Sequence, residues 1–453
     1  MNGLENPLLS EMMIQMVKID QMIEHYKSDF EEQKYITGWL QDVRSNAMET
    51  FADIGLPVRR RGNEKWKYTN ISDIAQINFR PAQNINVGLE SIKNAAPWHD
   101  DWTNLVFVNG FYSKELSSSL DETPYIYPLC ESVYINHEMS GAYDSIGKHI
   151  NYSDDGFAAL NTAFLKDVMV ADIPENLHVT SPINVIFYNT GTPQSVNHPR
   201  FFMVANKDSK VSVIESFVGK DGGVSLTNSV SEIVGKEGSE IDHYRIMGGS
   251  EFAFDVGYER VLLSDNASFK STSFCKSTKI GRYDLNVCIN GAYASCELNG
   301  LYRTGGTSHI DNYINIDHIA PNGRSNLLYK GILDGRSRAV FGGTVVVRKS
   351  AQKTESTQTD KNLVLSSYAE VDSKPSLYIY ADDVQCAHGA TAGNIDSDTL
   401  FYMVSRGVDI ETASKLLIYG FAEEIINKVD ISSLRNYLES EILSSLPDHS
   451  FEF

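Results

Sequence analysis

The amino-acid sequence predicts a mainly β protein, a parallel β-solenoid between two α-helical regions. From about residue 177 to residue 385, short alternating segments rich in Val, Ile, Tyr, Phe and Ser follow one another, separated by Gly, Asn and Asp. No helical periodicity interrupts these segments. Residues 1–56 and the chain after Gly393, in contrast, are apolar at helical spacing.

A weak internal repeat is the third observation. Five serines recur at intervals of 30, 29, 27 and 30 residues, at Ser209, Ser239, Ser268, Ser295 and Ser325. A drifting period of this length is typical of a solenoid whose coils each contain a few short strands. A β-sandwich explains the alternation about as well, and the repeat favours the solenoid. Because the end coils of a solenoid must be covered, we expect the flanking helices to cap its ends.

The composition is that of a globular protein in a reducing compartment. Of the 453 residues, 42% are hydrophobic and 22% are charged, and the formal net charge is -20. This charge disfavours nucleic-acid backbones and anionic membranes as main partners, and the basic run Arg59 to Arg61 is best explained as a solvated turn. No stretch approaches 18 apolar residues and no apolar signal segment is found, so we expect a cytoplasmic protein.

The five cysteines are odd in number and include no CxxC pair. This pattern favours free thiols over a disulfide framework and provides no self-contained zinc or cluster site. We expect Cys275, Cys288 and Cys296 to point into the solenoid core; Cys130 precedes the solenoid.

The N-terminal part is predicted to be helical as far as Gly55-Leu56-Pro57, which ends the pattern. An aromatic and charged segment follows, in which we expect Trp66 and Tyr68 to fix the helices onto the next domain. Further on, a short strand at Leu105–Val108 is followed by the turn dipeptide Asn109-Gly110.

Residues Gly141 to Lys148 resemble a phosphate-binding loop only superficially. Five residues rather than four separate Gly141 from Gly147, and His149 stands where a magnesium-binding Ser or Thr belongs. We therefore expect any ATP requirement to be met by a partner.

A thiol and an imidazole lie two residues apart at the end of the β region, at Cys386 and His388. In an extended strand, residues i and i+2 project from the same face. A Cys-x-His pair is half of a tetrahedral metal site, so the remaining ligands must come from elsewhere. From the spacing alone, a structural role for both residues is the more common outcome.

Helices return after Gly393. Asp396 is predicted to cap a helix with buried Leu400, Phe401 and Val404 that stops at Gly407. Asp409 begins a second helix, and a third runs from Ser432 to Pro447.

The segment Tyr380–Gly393 (YADDVQCAHGATAG) resembles the signature of the SufD family of iron-sulfur cluster assembly proteins. The resemblance covers most of the chain beyond about residue 40, and the sister family SufB has a His-Glu-Ala-Thr string where this chain has Cys386 to Thr391. Other matching segments are Gly55-Leu-Pro-Val, Glu64–Thr69, Leu160–Phe164, Asp317-His318, Tyr329–Gly331, Phe341–Gly343, Ala351–Thr354, Asn362-Leu363, Leu400–Tyr402 and Ser405–Gly407.

This resemblance implies a right-handed parallel β-helix flanked by helical domains. We therefore divide the chain into an N-terminal helical domain (1–80), a mixed connecting region (81–176), the β-helix core (177–388) and a C-terminal helical domain (389–453). It implies a non-catalytic scaffold subunit that pairs with a SufB-like chain through the β-helix and binds a SufC-like ABC ATPase through its C-terminal helices. There the apolar stripe and acidic pair suggest a docking site of Leu416, Leu417, Phe421, Glu423 and Glu424.

The resemblance also implies a transient iron-sulfur cluster at the subunit interface. His388 matches a family histidine proposed to hold the cluster, and Cys386 matches the neighbouring cysteine; together they are a half-site for metal. Whether a flavin binds, and whether the isolated chain forms a homodimer, is left open.

Two other functions fit parts of the sequence. A carbohydrate-active β-solenoid enzyme would use carboxylates such as Glu297, Asp311, Asp317 and Asp334, although these show no recognisable pairing. A Cys/His hydrolase would need His388 within hydrogen-bond reach of Cys386.

Overall fold

The computed structural model describes residues 7–33, 39–58, 63–129 and 145–445, with the side chains of residues 7–19 and 39 excepted. Several features singled out in the sequence lie outside these residues: Arg59 to Arg61, Cys130, the first half of the glycine loop, and the end of the last helix at Pro447. No helix of the described chain is long and apolar enough to cross a membrane.

Helices occupy the two ends of the sequence. Gly55, with a φ of 62°, ends the second helix where the sequence predicts it. Asp396 and Asp409 cap their helices as predicted, each accepting a hydrogen bond from a backbone N–H three residues ahead. The helices are α1 (Pro7–Glu32), α2 (Trp39–Ile54), α3 (Ser72–Ala75), α4 (Leu89–Ala95), α5 (Gly156–Ala163), α6 (Ser397–Ser405), α7 (Ile410–Ile426) and α8 (Ser432–Ser445).

The middle of the chain is a parallel β-solenoid made of two facing sheets, which confirms the predicted fold class. The first sheet contains β1 (Arg80–Pro81), β4 (Ile126–Leu129), β5 (Val168–Ile173), β7 (Ser195–Asn197), β8 (Arg200–Ala205), β10 (Leu226–Gly235), β12 (Phe254–Leu263), β14 (Ile280–Ile289), β16 (His309–His318), β18 (Arg338–Val347) and β20 (Glu370–Ile379). The second contains β2 (Thr103–Val108), β3 (Phe111–Tyr112), β6 (Ile183–Asn189), β9 (Lys210–Gly219), β11 (Glu240–Gly248), β13 (Ser268–Lys276), β15 (Ser295–Thr304), β17 (Arg324–Leu333), β19 (Glu355–Val364) and β21 (Gln385–Gly393).

From β8 onward, successive strands alternate between the two sheets, so that each coil contributes one strand to each. The first residues of the strands in the second sheet lie in register, which gives coils of 27 to 31 residues; these residues are Lys210, Glu240, Ser268, Ser295, Arg324, Glu355 and Gln385.

One corner of every coil is a left-handed residue. Its N–H donates a hydrogen bond to a carbonyl of the next coil, and the column comprises Asn176, Asp208, Gly238, Asn266, Tyr293, Asn322 and Lys353. Asn, Asp and Gly tolerate this conformation best, which explains why Gly, Asn and Asp recur between the strand segments of the sequence. The internal repeat of the sequence therefore reflects one such turn in each coil.

The interior between the sheets is the main hydrophobic core. It contains, among others, Phe217, Phe269, Leu298, Leu327 and Phe341. Cys275 and Cys296 point into it as predicted. Cys288 is also buried, but its chain neighbours Val287 and Ile289 face the interior, so Cys288 lies on the outer side of its strand.

The helices cover the sides of the solenoid. The sequence had led us to expect them at its ends. The N-terminal helices and α5 pack on outer residues of the first sheet such as Phe254 and Ile280. Helices α7 and α8 pack on outer residues of the second sheet such as Phe274 and Ile332. At the N-terminal end, the antiparallel pairs β2–β3 and β4–β5 close the two sheets instead.

The aromatic segment after residue 63 fixes the N-terminal helices onto the first sheet. Trp66 is buried, stacks on Phe157 of α5 at 5.4 Å between ring centroids, and lies under the guanidinium of Arg282 on β14. Lys65 is 2.7 Å from both Asp155 and Asp284. Trp66 therefore has the role predicted for it.

Strands of the two sheets lie on both sides of the predicted domain limits at residues 176 and 388. In particular, β2 and β5 precede residue 177, and β21 extends to Gly393. The four-part division of the chain stays a prediction about folding units.

Candidate functional site

Cys386 and His388 lie on the last strand of the second sheet, β21. In the parallel ladder with β19, Cys386 pairs with Ser356 and His388 pairs with Gln358. Gln358 in turn pairs with Leu327, which is part of the interior core. Both side chains therefore belong to the inner face of the final coil, as the i, i+2 spacing predicts.

The two side chains differ in exposure. Cys386 is half-buried against the core between the sheets, whereas His388 is exposed and has no hydrogen-bond partner among the described residues. No third His, Cys or carboxylate of the described chain joins them to form a group with metal-ligand spacing. In geometry they are thus two potential ligands at the open end of the solenoid.

The Cys386 thiol is not prepared to act as a nucleophile. Burial raises its pKa, although the backbone N–H of Ser356 acts in the opposite direction. No hydrogen bond joins Cys386 to His388, so the Cys/His pair has no general-base arrangement. A thiol of this kind becomes a ligand when a metal displaces its proton.

Beneath the two residues, the interior changes from apolar to polar. Ser356, Gln358, Asp360 and Asn362 alternate along β19, face the interior and are buried. Gln358 Oε1 and Asp360 Oδ1 have no hydrogen-bond partner in the described chain. The inner face of β21 continues from His388 with Ala390 and Ala392, so the last coil supplies little side-chain volume above these oxygens.

A hydrogen-bonded chain crosses the interior at this level. Tyr302 donates to Asn362 at 2.5 Å, Asn362 donates to Asp360 at 2.8 Å, and Ser373 of β20 donates to the same Asp360 oxygen at 2.6 Å. Burial raises the pKa of Asp360 to about 6, although the hydrogen bonds from Ser373 and Asn362 favour the ionised form. This chain links β15, β19 and β20 just inside the open end.

The open end exposes aromatic and apolar side chains. Tyr368, Tyr378, Ile379 and Tyr380 are all more than 40% exposed. In the described chain β20 and β21 are the last strands of their sheets, so each has one edge of unpaired backbone groups. This end of the solenoid has the features of a surface that another sheet would cover.

The five residues suggested for ATPase docking lie on α7 but do not share one environment. Leu416 is 52% exposed and Glu423 is exposed, whereas Leu417 and Phe421 are half-buried. Glu424 is 2.5 Å from Lys330 of β17. Lys330 also donates to the Phe421 carbonyl at 2.7 Å, so Phe421 and Glu424 hold α7 on the solenoid.

Two residues of α6 correct the sequence prediction. Phe401 and Val404, predicted to be buried, are 67% and 36% exposed, while Leu400 is buried as predicted. Tyr402 is also 57% exposed. Helical periodicity identifies an apolar stripe but not what covers it, and here the described chain leaves part of the stripe uncovered.

A buried ionic cluster inside the solenoid has the spacing of a metal site. Glu215, His243 and Glu259 converge in the interior, and His243 bonds to Glu215 at 3.0 Å. However, the Arg245 guanidinium lies 4.0 and 3.9 Å from the two carboxylates. Burial disfavours the imidazolium of His243, but the nearby Glu259 and Glu215 outweigh it and raise its pKa. The Arg245 guanidinium and the His243 imidazole thus lie beside the two carboxylates, where a metal ion would otherwise supply the positive charge.

The described part of the glycine loop has no free phosphate site. The N–H groups of Gly147 and His149 donate to the Glu232 carboxylate at 2.9 to 3.2 Å, and Glu232 is ion-paired with buried Arg200. Since an anion-binding loop must keep such N–H groups for its ligand, a side chain occupies the position that phosphate would take.

The carboxylates of the carbohydrate-enzyme alternative are engaged separately. Asp311 is buried and bonded to Arg282 and Thr69, Asp317 pairs with Arg348, and Glu297 pairs with Lys428 of the C-terminal region. Asp311 and Asp317 lie six residues apart on the outer face of β16, and Glu297 lies on β15 of the other sheet. No acid and base pair emerges from them.

Comparison with known proteins agrees with the resemblance seen in the sequence. The family model described as "SUF system FeS cluster assembly, SufBD core domain" matches residues 187–421, and "SufBD protein N-terminal region" matches residues 16–185. An iron-sulfur cluster assembly SufBD family protein of Synechocystis is 29% identical over 90% of this chain and 92% of its own length. The SufD proteins of Escherichia coli and Bacillus subtilis are 28% and 23% identical over 87% and 92% of this chain, covering 90% and 97% of their own lengths.

Proposed function

Since the chain belongs to the SufBD family of iron-sulfur cluster assembly proteins, we propose that it is a non-catalytic scaffold subunit. It pairs with a SufB-like chain and binds a SufC-like ABC ATPase. Its substrate is a nascent iron-sulfur cluster, held transiently where the two scaffold chains meet. The proposed location is the cytoplasm.

The observation that best supports this proposal is the position of Cys386 and His388 at the open end of the solenoid. Thiolate and imidazole are good ligands for iron, but two ligands leave each metal open to solvent. A partner that covers this end supplies the missing ligands and excludes water. The exposed Tyr378 and Tyr380 and the free edges of β20 and β21 suit such a partner.

The C-terminal helices support the proposed ATPase contact. One side of α7 packs on the solenoid, where Lys330 donates a hydrogen bond to the Phe421 carbonyl. Leu416 on the same helix is exposed, as are Phe401 and Tyr402 on α6. We therefore centre the docking surface on Leu416, Phe401 and Tyr402, with Glu423 beside it. ATP hydrolysis is assigned to the partner, in agreement with the glycine loop that Glu232 fills.

The first prediction tests the half-site. The change His388→Ala, in a fully assembled complex with the SufB-like and ATPase partners, should reduce iron and sulfide recovered after reconstitution by about tenfold, because one ligand is lost. Thermal unfolding of the complex should be unchanged, since His388 is exposed. The measurement is iron and acid-labile sulfide per complex, after size-exclusion chromatography has shown normal assembly.

A matched control is Thr391→Ala, an exposed residue on the same strand but on its outer face. It should retain the normal cluster content. A His388→Ala complex that assembles and also holds iron and sulfide at the wild-type level contradicts the proposal.

A further inference from the structure

We propose that Gln358 is the positioning residue for His388: its side-chain carbonyl Oε1 accepts the N–H of one ring nitrogen and leaves the other nitrogen free to bind metal. This inference rests on the proposed function of His388. It concerns a residue that makes no contact with the cluster itself.

Register brings the two side chains together. Gln358 and His388 are direct partners in the β19–β21 ladder and both face the interior. Neighbouring strands lie about 4.8 Å apart, so a glutamine amide and the imidazole beside it are within reach of a hydrogen bond after rotation about the histidine side-chain bonds. No other polar side chain of β19 occupies this ladder position.

The amide of Gln358 is held in one orientation. Its Nε2 donates to the Gly343 carbonyl at 3.2 Å, so the opposite amide orientation would place two oxygens against each other. Gly343 is part of the matched segment Phe341–Gly343, and a Cβ there would come within 2.1 Å of Gln358 Nε2. The absence of a side chain at Gly343 thus makes room for this amide.

Both partners have an unused hydrogen-bonding group. Gln358 is fully buried, and its Oε1 has no hydrogen-bond partner among the described residues. A buried acceptor that lacks a hydrogen bond destabilises the folded chain, because it has lost its contact with water without gaining a partner. His388 is likewise without a partner in the described chain, and a neutral imidazole has one N–H to donate. Each group supplies what the other lacks.

The consequence for metal binding is a fixed ring. Histidine ligands characteristically donate their second ring N–H to a carbonyl or carboxylate, which selects the tautomer and orients the metal-facing nitrogen. The loss of such a partner typically lowers metal affinity by about 10- to 100-fold. Gln358 supplies a neutral acceptor, which selects the tautomer without adding charge to the site.

The test reads the tautomer directly. In the complete complex, without iron and with only this chain labelled with ¹⁵N-histidine, solid-state NMR of the ring nitrogens should show one tautomer for His388, assigned by its disappearance in His388→Ala. In Gln358→Met, which keeps the side-chain length but removes the acceptor, the two tautomers should both be populated.

Ser356→Ala is the matched control, because Ser356 is a buried inward residue of the same strand that faces Cys386 and not His388. It should leave the His388 tautomer unchanged. Iron retained against a chelator should fall by about tenfold in Gln358→Met relative to Ser356→Ala.

The outcomes separate the two proposals. An unchanged tautomer in Gln358→Met overturns the positioning role, and assigns Oε1 to an ordered water only. If the tautomer responds to Gln358 but His388→Ala retains its cluster, the proposed function fails while the contact between the two residues stands.

Discussion

At the scale of single residues, Asp360 is a buried carboxyl group whose raised pKa links the stability of the fold to pH. Its pKa of about 6 in the folded chain lies above the ordinary value of 3.8. The folded state therefore holds this proton more tightly than the unfolded chain, and the free energy of unfolding falls as the pH rises through the window from about 4 to about 6. Above that window the carboxylate is ionised in the interior.

The second prediction follows from this sign. Asp360→Asn removes the buried charge and keeps a carbonyl oxygen for Asn362 and Ser373, so it should raise the free energy of unfolding at pH 7.5 by on the order of 1 to 3 kcal/mol, since each pKa unit corresponds to about 1.4 kcal/mol. Urea unfolding at that pH measures the effect. Asp317→Asn, which removes a partly exposed partner of Arg348, is the control and should give no increase. An Asp360→Asn chain that is less stable than wild type contradicts the argument.

How far single residues could be predicted depends on the range of the contact. The shared face of Cys386 and His388 follows from the alternation of one strand, and the ladder register agrees with it. Gln358 and Asp360 could not be found in this way. Their strand, Glu355–Val364, is polar on both faces over most of its length, so no alternation marks the inward side. The Phe341–Gly343 segment does indicate a position where a side chain is excluded. The sequence does not show that the excluded space is filled by the side-chain amide of Gln358.

At the scale of structural elements, the corner turns determine the period of the solenoid. Tyr293 occupies a corner with a φ of 60°, and its side chain is 65% exposed. The left-handed conformation costs a residue with a Cβ about 1 to 2 kcal/mol, and glycine avoids this cost but loses about 0.5 to 1 kcal/mol of chain entropy on folding.

The third prediction is that Tyr293→Gly raises the free energy of unfolding by roughly 0.5 to 1 kcal/mol, because little packing is lost with an exposed ring. Chemical denaturation checks it, with Tyr293→Val as the comparison. Valine is β-branched and should lower the stability by about 1 kcal/mol or more. Equal stability of the glycine and valine variants would show that the corner conformation is not what limits this position.

The same corners explain what the sequence repeat contained and what it did not. The five serines mark the coils, but they occupy three adjacent ladder positions: Ser209 and Ser239 precede the first paired residue, Ser268 and Ser295 coincide with it, and Ser325 follows it. The period was therefore predictable, since turns recur once per coil. The register was not predictable from the serines, because they do not keep a fixed distance from the left-handed corner residue, which itself always lies two residues before the first paired residue of the strand.

Helix burial shows the complementary difficulty. The caps of α6 and α7 at Asp396 and Asp409 are local and were predicted correctly. The exposure of Phe401 and Val404 depends on which surface the helix meets, which a periodic pattern does not contain. The uncovered part of α6 is also the part for which the proposed function assigns a partner.

At the scale of the whole molecule, the two proposed partner surfaces are structurally separate. The open end of the solenoid is formed by β20, β21 and the exposed tyrosines after residue 377, whereas the docking surface lies on α6 and α7. Removing all residues after 395 would not separate them cleanly. It would also uncover Ile332 and Leu363, which pack against α7 and α8. Point changes of exposed residues are therefore the sharper test.

The last prediction is that each surface can be disabled without the other. Leu416→Asp places a charge on an exposed apolar position of α7 and should weaken ATPase association by about tenfold or more, as expected for a central interface residue, while pairing with the SufB-like chain is retained. Leu443→Asp on α8 is the matched control, because Leu443 is 53% exposed and Leu416 is 52% exposed. It should leave ATPase binding unchanged. Tyr380→Asp at the open end should have the reverse effect, weakening pairing but not ATPase association. Affinities from surface-immobilised wild-type and variant chains measure both contacts separately. Equal ATPase binding by the Leu416→Asp and Leu443→Asp chains would show that docking uses a different face of the helices.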